Sequence, residues 1–212
     1  MADVFELFPT PVMRVPGLLT RVAAQALASK LARAAMVGNQ HSAQLTHSRI
    51  LGPGDDADID VVVEQIGVHL QAFGQLLFGE SLRWLVKEVW ANVLQNGGSQ
   101  ALHNHANCIA SGVLYLTPSD GSACTVFSRS LCATEFVFRN ASAATEPGRF
   151  SSEKWVAPLP QPGDLILFPS YLLHEVPVNQ GAERVTLAFN AIPHRLDAWG
   201  YAVAFQPHDS GA

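Results

Sequence analysis

Short strand-like segments recur between residues 83 and 192 of this 212-residue chain and constrain its fold more than any other feature. They are rich in β-branched and aromatic residues, and Gly, Pro, Ser and Asn separate them. The segments are RWLVKEVWANVLQ, CIASGVLYL, CTVFS, TEFVF (134–138), DLILF and RVTLAFNAI. No helical pattern interrupts them, which favours an antiparallel sandwich or barrel over a fold of alternating strands and helices. We therefore predict a mainly β protein with a jelly-roll barrel.

The first 80 residues have a different pattern, in which apolar residues recur at helical spacing. The alanine-rich stretch 18–36 predicts one helix. Turn residues and acids at 51–58 precede a second, whose apolar residues recur every three or four positions from Ile59 to Leu77. We expect both helices to pack on the outside of the barrel.

One domain over residues 1–212 accommodates both patterns, because a chain of this length can bury a single core. In this arrangement residues 1–80 are the mostly helical support and residues 81–206 form the barrel. The prolines of FPTPV (8–12) predict extended chain before the first helix. We expect Phe8 to pack on the barrel.

Composition and charge exclude several classes of function. The net charge is −5 and the 13 Lys and Arg residues are scattered, so no basic surface favours nucleic acid. The three cysteines lack zinc spacing and fit a reducing compartment. The N-terminus does not resemble a signal peptide, and no uninterrupted apolar stretch approaches the roughly 20 residues of a membrane helix. We expect a cytoplasmic protein that binds neither nucleic acid nor membrane; whether it forms a homodimer is left open, as are the roles of Cys108, Cys124 and Cys132.

Three histidines form a candidate metal site. His103 and His105 in LHNHAN are two residues apart in extended chain, so their side chains point to one face. His174 follows a later apolar strand, which a jelly roll can bring beside an earlier one. Each histidine taken alone is more often structural. Together they predict one site, and imidazole ligands suit zinc, copper and iron alike.

Arg184 lies ten residues after His174, beyond the turn residues 179–181. We predict a hairpin there that sets Arg184 opposite Pro177, on the order of 10 Å from His174 at about 3.3 Å per residue. A guanidinium matches two carboxylate oxygens and stays charged when buried, and Thr186 on the same face can add a hydrogen bond. The pair is suited to the far carboxylate of a small diacid.

The chain resembles the 2-oxoglutarate and Fe(II)-dependent oxygenases, in particular a bacterial and phage-like group in which HxH is followed by SGVxYL. The matching stretches are FPTPV (8–12), WANV (90–93), HNHANCIASGVLYL (103–116), GDLILFPSYLLHEV (163–176) and RVTLAFN (184–190). The resemblance implies a double-stranded β-helix, also called a cupin-like jelly roll. It implies Fe(II) held by His103, His105 and His174, and 2-oxoglutarate as a cosubstrate anchored by Arg184. Decarboxylation of the keto acid to succinate would be coupled to oxidation of a second substrate.

The resemblance has two departures. In CTVFSRS relatives tend to carry an acidic residue and a proline beside the arginine, where this chain has Ser128 and Ser130, and we assign that loop no role. Most of the superfamily also has a carboxylate where this chain has His105. The narrower group shares the histidine. Asn92 and Tyr115 are candidate inward hydrogen-bonding residues for the cosubstrate or a metal-bound water, and we assign no catalytic side chain beyond the metal centre. The second substrate, a small molecule or a peptide, is not identified.

Two alternatives remain open. A three-histidine, cupin-like dioxygenase or isomerase would need no keto acid, and thus no special role for Arg184 and Thr186. A non-catalytic jelly roll would serve as a binding module.

Overall fold

The computed structural model describes residues 3–34, 36–40, 42–129, 142–146 and 148–206. Within these ranges the helices are α1 (Arg21–Leu31) and α2 (Ala57–Phe78). The strands are β1 (Met13–Val15), β2 (Met36–Gly38), β3 (Leu45–Ser48), β4 (Trp84–Leu94), β5 (Gln100–His103), β6 (Ala110–Tyr115), β7 (Val126–Ser128), β8 (Lys154–Val156), β9 (Leu165–Pro169), β10 (Leu173–Val176), β11 (Arg184–Pro193), β12 (Arg195–Ala198) and β13 (Tyr201–Ala204). The strand predicted over 134–138 lies outside the described residues.

Two antiparallel sheets form the barrel. The larger has the strand order β1-β9-β6-β11-β4-β3-β2, and the smaller has the order β5-β10-β7-β8. Phe127 of the smaller sheet packs in one cluster with Tyr115, Ile166 and Phe168 of the larger sheet. The two sheets therefore share an interior, as in the jelly roll predicted from the sequence.

The larger sheet separates a helix-covered face from an interior face. On β11 the side chains of Val185, Leu187 and Phe189 join buried residues of both helices in the main core, while Thr186 and Ala188 line the interior cavity. Strand alternation puts these two sets on opposite faces. The helices cover the outside of the barrel, as expected.

Each helix has a side-chain cap at its start. Thr20 accepts a hydrogen bond from the backbone N–H of Ala23, and Asp56 accepts from Asp58 and Ile59. Helix α1 ends earlier than the predicted residue 36, because residues 36–38 form β2 and pair with β3. Helix α2 ends at Gly79, whose φ of 70° suits glycine.

Helix α2 is long and apolar enough to cross a membrane by length and composition. In the structure one face is buried in the main core, through Ile59, Val62, Ile66, Leu70 and Phe73. Core packing accounts for the apolar residues of that face.

The predicted hairpin between His174 and Arg184 is wrong. Strand β10 lies between β5 and β7 in the smaller sheet, whereas β11 lies between β4 and β6 in the larger one. Arg184 is opposite Leu94 rather than Pro177. The cause is the turn at Asn179, which exchanges backbone hydrogen bonds with residues 97 and 98 and carries the chain across to the other sheet.

The predicted packing of Phe8 is also wrong. Its side chain is 93% exposed and its φ is 55°. Extended structure does follow the two prolines, but the first strand to pair with the sheet is β1, beside β9.

Candidate metal centre and cosubstrate pocket

The three histidines predicted as ligands meet at one point between the sheets. His103 ends β5 and its Cα pairs with that of His174 on β10, while His105 lies two residues beyond β5. One ring nitrogen from each lies within 4.8 Å of those of the other two. The Nε2 atoms of His105 and His174 are 3.2 Å apart. This spacing is short enough for one metal ion to reach all three.

Backbone carbonyls fix the orientation of two of the rings. His103 Nδ1 donates to the Ala101 carbonyl at 2.8 Å, and His174 Nδ1 donates to the Leu172 carbonyl at 3.0 Å. A carbonyl only accepts, so these Nδ1 atoms carry the proton and the Nε2 lone pairs are free. Lone pairs that converge without a proton between them repel unless a cation lies there. The donor set therefore fits a divalent metal ion.

Burial keeps the imidazoles neutral. It lowers the pKa of His174 to about 3, helped by the charge of His103 and opposed by the hydrogen bond to Leu172. Burial and the His103 charge lower the pKa of His105 to about 4, against the opposing effects of Asn190 and Glu88. Burial also lowers the pKa of His103. Neutral imidazole is the form that binds metal.

A cavity joins the histidines to the predicted cosubstrate residues. Side chains from both sheets line it: Trp90, Asn92, Gln100, His103, His105, Val113, Thr125, Phe168, His174, Val176, Arg184, Thr186 and Ala188. Asn92 and Thr186 face each other across neighbouring strands, and both are buried. Arg184 thus lies in the same cavity as the histidines, although the predicted hairpin does not form.

Arg184 is a buried cation that has no counter-ion among the residues that the structure describes. Its side chain is buried, with 4% of the residue exposed, and among the described residues no carboxylate pairs with it. Its Nε has no hydrogen-bond partner in the described part of the chain. The guanidinium lies 5.1 Å from the ring centroid of Tyr115. Burying an unpaired charge is costly, so the residue is suited to an anion that enters the cavity.

Tyr115 lies behind the cavity wall. Its side chain is buried, and its hydroxyl is 2.9 Å from the Thr125 hydroxyl. The cavity lining includes Thr125 but not Tyr115. Tyr115 therefore supports Arg184 through its ring and Thr125 through its hydroxyl.

Several residues of the site were missed from the sequence. The Trp90 ring stacks on His105, with centroids 5.8 Å apart, and Phe168 contacts His105 and His174 edge-on. Gln100 Nε2 lies 3.4 Å from His103 Nε2. Trp90 could have been found, because it is two residues before Asn92 on one strand. Gln100 and Thr125 carry no comparable local signal.

The other histidines are not part of this group. Among described residues, the metal-binding cluster contains only the three histidines above, and neither His47, His69 nor His194 joins it. His41 and His208 lie outside the described residues.

Residues 88–190, just under half of the chain, match a family model described as "Putative 2OG-Fe(II) oxygenase". The matched region contains all three histidines, Arg184 and Thr186. No curated protein matches the sequence.

Solved structures share the fold over most of the chain. An oxidoreductase of the 2OG-Fe(II) oxygenase family from Burkholderia pseudomallei has a TM-score of 0.59 at 12% identity, covering 85% of this chain and 84% of that one. HygX from Streptomyces hygroscopicus, solved with nickel and 2-oxoglutarate bound, has a TM-score of 0.59 at 14% identity, covering 87% and 83%. A Pseudomonas putida prolyl-4-hydroxylase has a TM-score of 0.59 at 17% identity, covering 85% and 92%.

These likenesses confirm the double-stranded β-helix, and the family match confirms the resemblance inferred from the sequence. Fe(II) and 2-oxoglutarate are the metal and cosubstrate of that family. In its fold, and in the sequence of the region that holds the site, the chain is similar to the 2OG-Fe(II) oxygenases.

Proposed function

We propose that His103, His105 and His174 bind one Fe(II) through Nε2, and that Arg184 binds the far carboxylate of 2-oxoglutarate. Thr186 and Asn92 add hydrogen bonds from the adjacent cavity wall. The observation that carries this assignment is that Arg184, buried and unpaired within the described part of the chain, lies in the cavity where three imidazole nitrogens converge. The reaction is oxidation, in the simplest case hydroxylation, of a small molecule or peptide that enters the cavity.

The bound metal and keto acid supply oxygen activation coupled to decarboxylation of 2-oxoglutarate to succinate and CO2. The chain's own residues position these groups. Three histidines fill at most three positions of a six-coordinate ion and leave the others for ligands. The Arg184 fork pairs with two carboxylate oxygens, and its position is supported by the Tyr115 ring. The apolar side chains of Phe168, Val176 and Trp90 limit water in the cavity.

The test is reconstitution with Fe(II) without oxygen, followed by addition of 2-oxoglutarate and air. We expect one Fe(II) per chain and slow formation of succinate even without the second substrate. The His174→Ala variant is the control, because it removes one ligand. If the iron-loaded wild type forms no more succinate than this variant, the assignment is wrong.

The all-imidazole ligand set favours one alternative, a three-histidine dioxygenase that uses no keto acid. The buried Arg184 argues against it, because that chemistry leaves the charge unpaired. Oxygen consumption on a substrate with 2-oxoglutarate unchanged would identify the alternative.

We further propose that the protein works in the cytoplasm as a single domain over residues 1–212. Cys108 and Cys124 are free thiols, which suits a reducing compartment, and both helices share one core with the larger sheet. The net charge of −5 supports a partner other than nucleic acid. Absence of a membrane partner and formation of a homodimer stay predictions; cell fractionation and light scattering test them.

A further inference from the structure

A row of three polar side chains crosses the larger sheet beside the metal centre. The register sets Asn190 of β11 opposite Glu88 of β4 on one side and opposite Ser111 of β6 on the other. Asn190 Nδ2 donates to Glu88 Oε2 at 2.9 Å. Ser111 Oγ donates to Asn190 Oδ1 at 2.8 Å. Both functions of the Asn190 amide are therefore used within the sheet.

The row contacts His105 in two places. The Asn190 side chain lies close enough to the His105 imidazole to act on its pKa, which it raises as a hydrogen-bond acceptor does. Ser111 Oγ also lies 3.3 Å from Ser170 Oγ, from which it can accept, and the Ser170 carbonyl accepts from the backbone N–H of His105 at 3.0 Å. The ring and the backbone of His105 are held by the same group of residues.

His105 differs in this respect from the other two histidines. Their Nδ1 atoms donate to backbone carbonyl oxygens, which can only accept a hydrogen bond. The partner of His105 is a side-chain amide, which can turn by 180° and exchange its oxygen for its NH2 group. Something must fix the direction of this amide.

Glu88 can do so, because an ionised carboxylate only accepts hydrogen bonds. Burial acts to raise the pKa of Glu88, but hydrogen bonds from Lys87 and Asn190 hold it below its ordinary value. Lys87 Nζ lies 2.7 Å from Glu88 Oε1. The carboxylate therefore attracts the NH2 group of Asn190 and leaves Oδ1 directed at Ser111 and His105.

We propose that Glu88 and Asn190 are positioning residues for the metal: Glu88 fixes the Asn190 amide, whose Oδ1 accepts from His105 Nδ1–H and so leaves His105 Nε2 free to bind. The arrangement also places a negative charge two hydrogen bonds from a ligand set that is otherwise neutral. The inference rests on the proposed function, because it requires His105 to be a ligand.

The test is the dissociation constant for Fe(II) alone, measured without oxygen by titration. Asn190→Leu removes the acceptor at similar volume, and we expect it to weaken Fe(II) binding by about 10- to 100-fold, the usual effect of losing a hydrogen-bond partner of a metal ligand. Glu88→Gln should weaken binding in the same direction, because glutamine can donate and lets the amide turn. The double variant should bind no more weakly than Asn190→Leu, because Glu88 acts through Asn190.

Glu175→Gln is the matched control, because Glu175 follows the ligand His174 and pairs with Lys154 at 2.5 Å but contacts no ligand ring among the described residues. It should leave Fe(II) affinity unchanged. Co(II)-loaded wild type and Glu88→Gln should differ in visible absorption, a readout of ligand geometry. Thermal melting of the metal-free variants checks that they fold.

The outcomes distinguish a failure of the proposed function from a failure of the positioning role. If the wild type does not bind Fe(II), the proposed function fails. If it binds and Glu88→Gln keeps both its affinity and its Co(II) spectrum, the positioning role is overturned. Equal losses in Glu88→Gln and Glu175→Gln, or additive losses in the double variant, would also overturn it, since both indicate a general charge effect.

Discussion

At the scale of single residues, the site combines neutral ligands with one buried charge. The histidines are kept neutral by burial, so the metal charge is not cancelled by the ligands. Arg184 is kept charged by its chemistry, and its guanidinium lies 5.1 Å from the ring centroid of Tyr115. The site is therefore electropositive once a metal binds, which suits a dianionic keto acid.

Arg184→Met should abolish this complementarity while the metal ligands remain. We expect 2-oxoglutarate affinity of the Fe(II)-loaded protein to fall by at least about 30-fold, the lower end for truncating a buried charged pair. Fe(II) affinity should not change. Anaerobic titration with 2-oxoglutarate measures the first quantity and titration with Fe(II) the second.

Arg195→Met is the control for the loss of one positive charge, because Arg195 is exposed and pairs with Asp197 at 2.6 Å. It should leave 2-oxoglutarate affinity unchanged. Wild-type affinity in Arg184→Met would refute the cosubstrate role.

At the scale of elements, the contact between α2 and β4 depends on a helix position without a side chain. A Cβ added at Gly74 would lie 2.8 Å from Cε2 and Cζ2 of Trp84, at the start of β4. A Cβ added at Gly67, two turns earlier in the same helix, would contact nothing within 4 Å. One glycine is thus required by packing and the other only lowers helix propensity.

Alanine at these two positions should change stability in opposite directions. Gly67→Ala should raise the free energy of unfolding by about 1 kcal/mol, through helix propensity alone. Gly74→Ala gains the same propensity but must displace the indole, and overpacking costs about 1–3 kcal/mol, so the net change should be destabilising. Denaturant unfolding measures both. Changes of the same sign would contradict the packing described for α2.

At the scale of the whole molecule, a buried carboxylate joins the N-terminal segment to the barrel. Asp164 accepts from Arg14 at 2.6 Å and from the backbone N–H groups of Gly17 and Gln161, across up to 150 residues of sequence. It stands just before β9, which pairs with β1. This contact holds the N-terminal strand on the barrel.

Stability should therefore depend on the ionisation of Asp164. Burial acts to raise its pKa, but the donors from Gln161, Gly17 and Arg14 hold it below the ordinary 3.8. The stabilisation is full above the unfolded-state pKa and is lost as the pH falls through the lower folded-state value. Asp164→Asn should cost about 2 kcal/mol near neutral pH.

The measurement is the free energy of unfolding of both proteins across pH 7 to 3. The difference between wild type and Asp164→Asn should be constant down to about pH 4 and then narrow, because the wild-type carboxylate takes up a proton. Asp197→Asn, at an exposed pair, should show no measurable difference at any pH. If the difference in free energy of unfolding between the two proteins widens as the pH falls, the proposed role of Asp164 is contradicted.

The sequence by itself determined much of the fold and most of the site. Strand alternation predicted that His103 and His105 share a face and that Arg184 and Thr186 share another, because side-chain direction in a strand is local. Turn residues marked the strand ends, and the turn residues and acids at 51–58 marked the start of the second helix. The composition indicated an apolar core with helices outside it.

Only the tertiary structure decided which strands are neighbours. Alternation says nothing about the partner of a strand, so the sequence could not reveal that β10 and β11 lie in different sheets. The Glu88–Asn190–Ser111 row and the Thr125–Tyr115 contact arise from pairing between distant segments, which is set by packing of the whole sheet. The three histidines and Arg184 meet for the same reason. The local sequence gives these residue types and the side-chain direction of each. The distances between the four side chains depend on how the two sheets enclose a common interior.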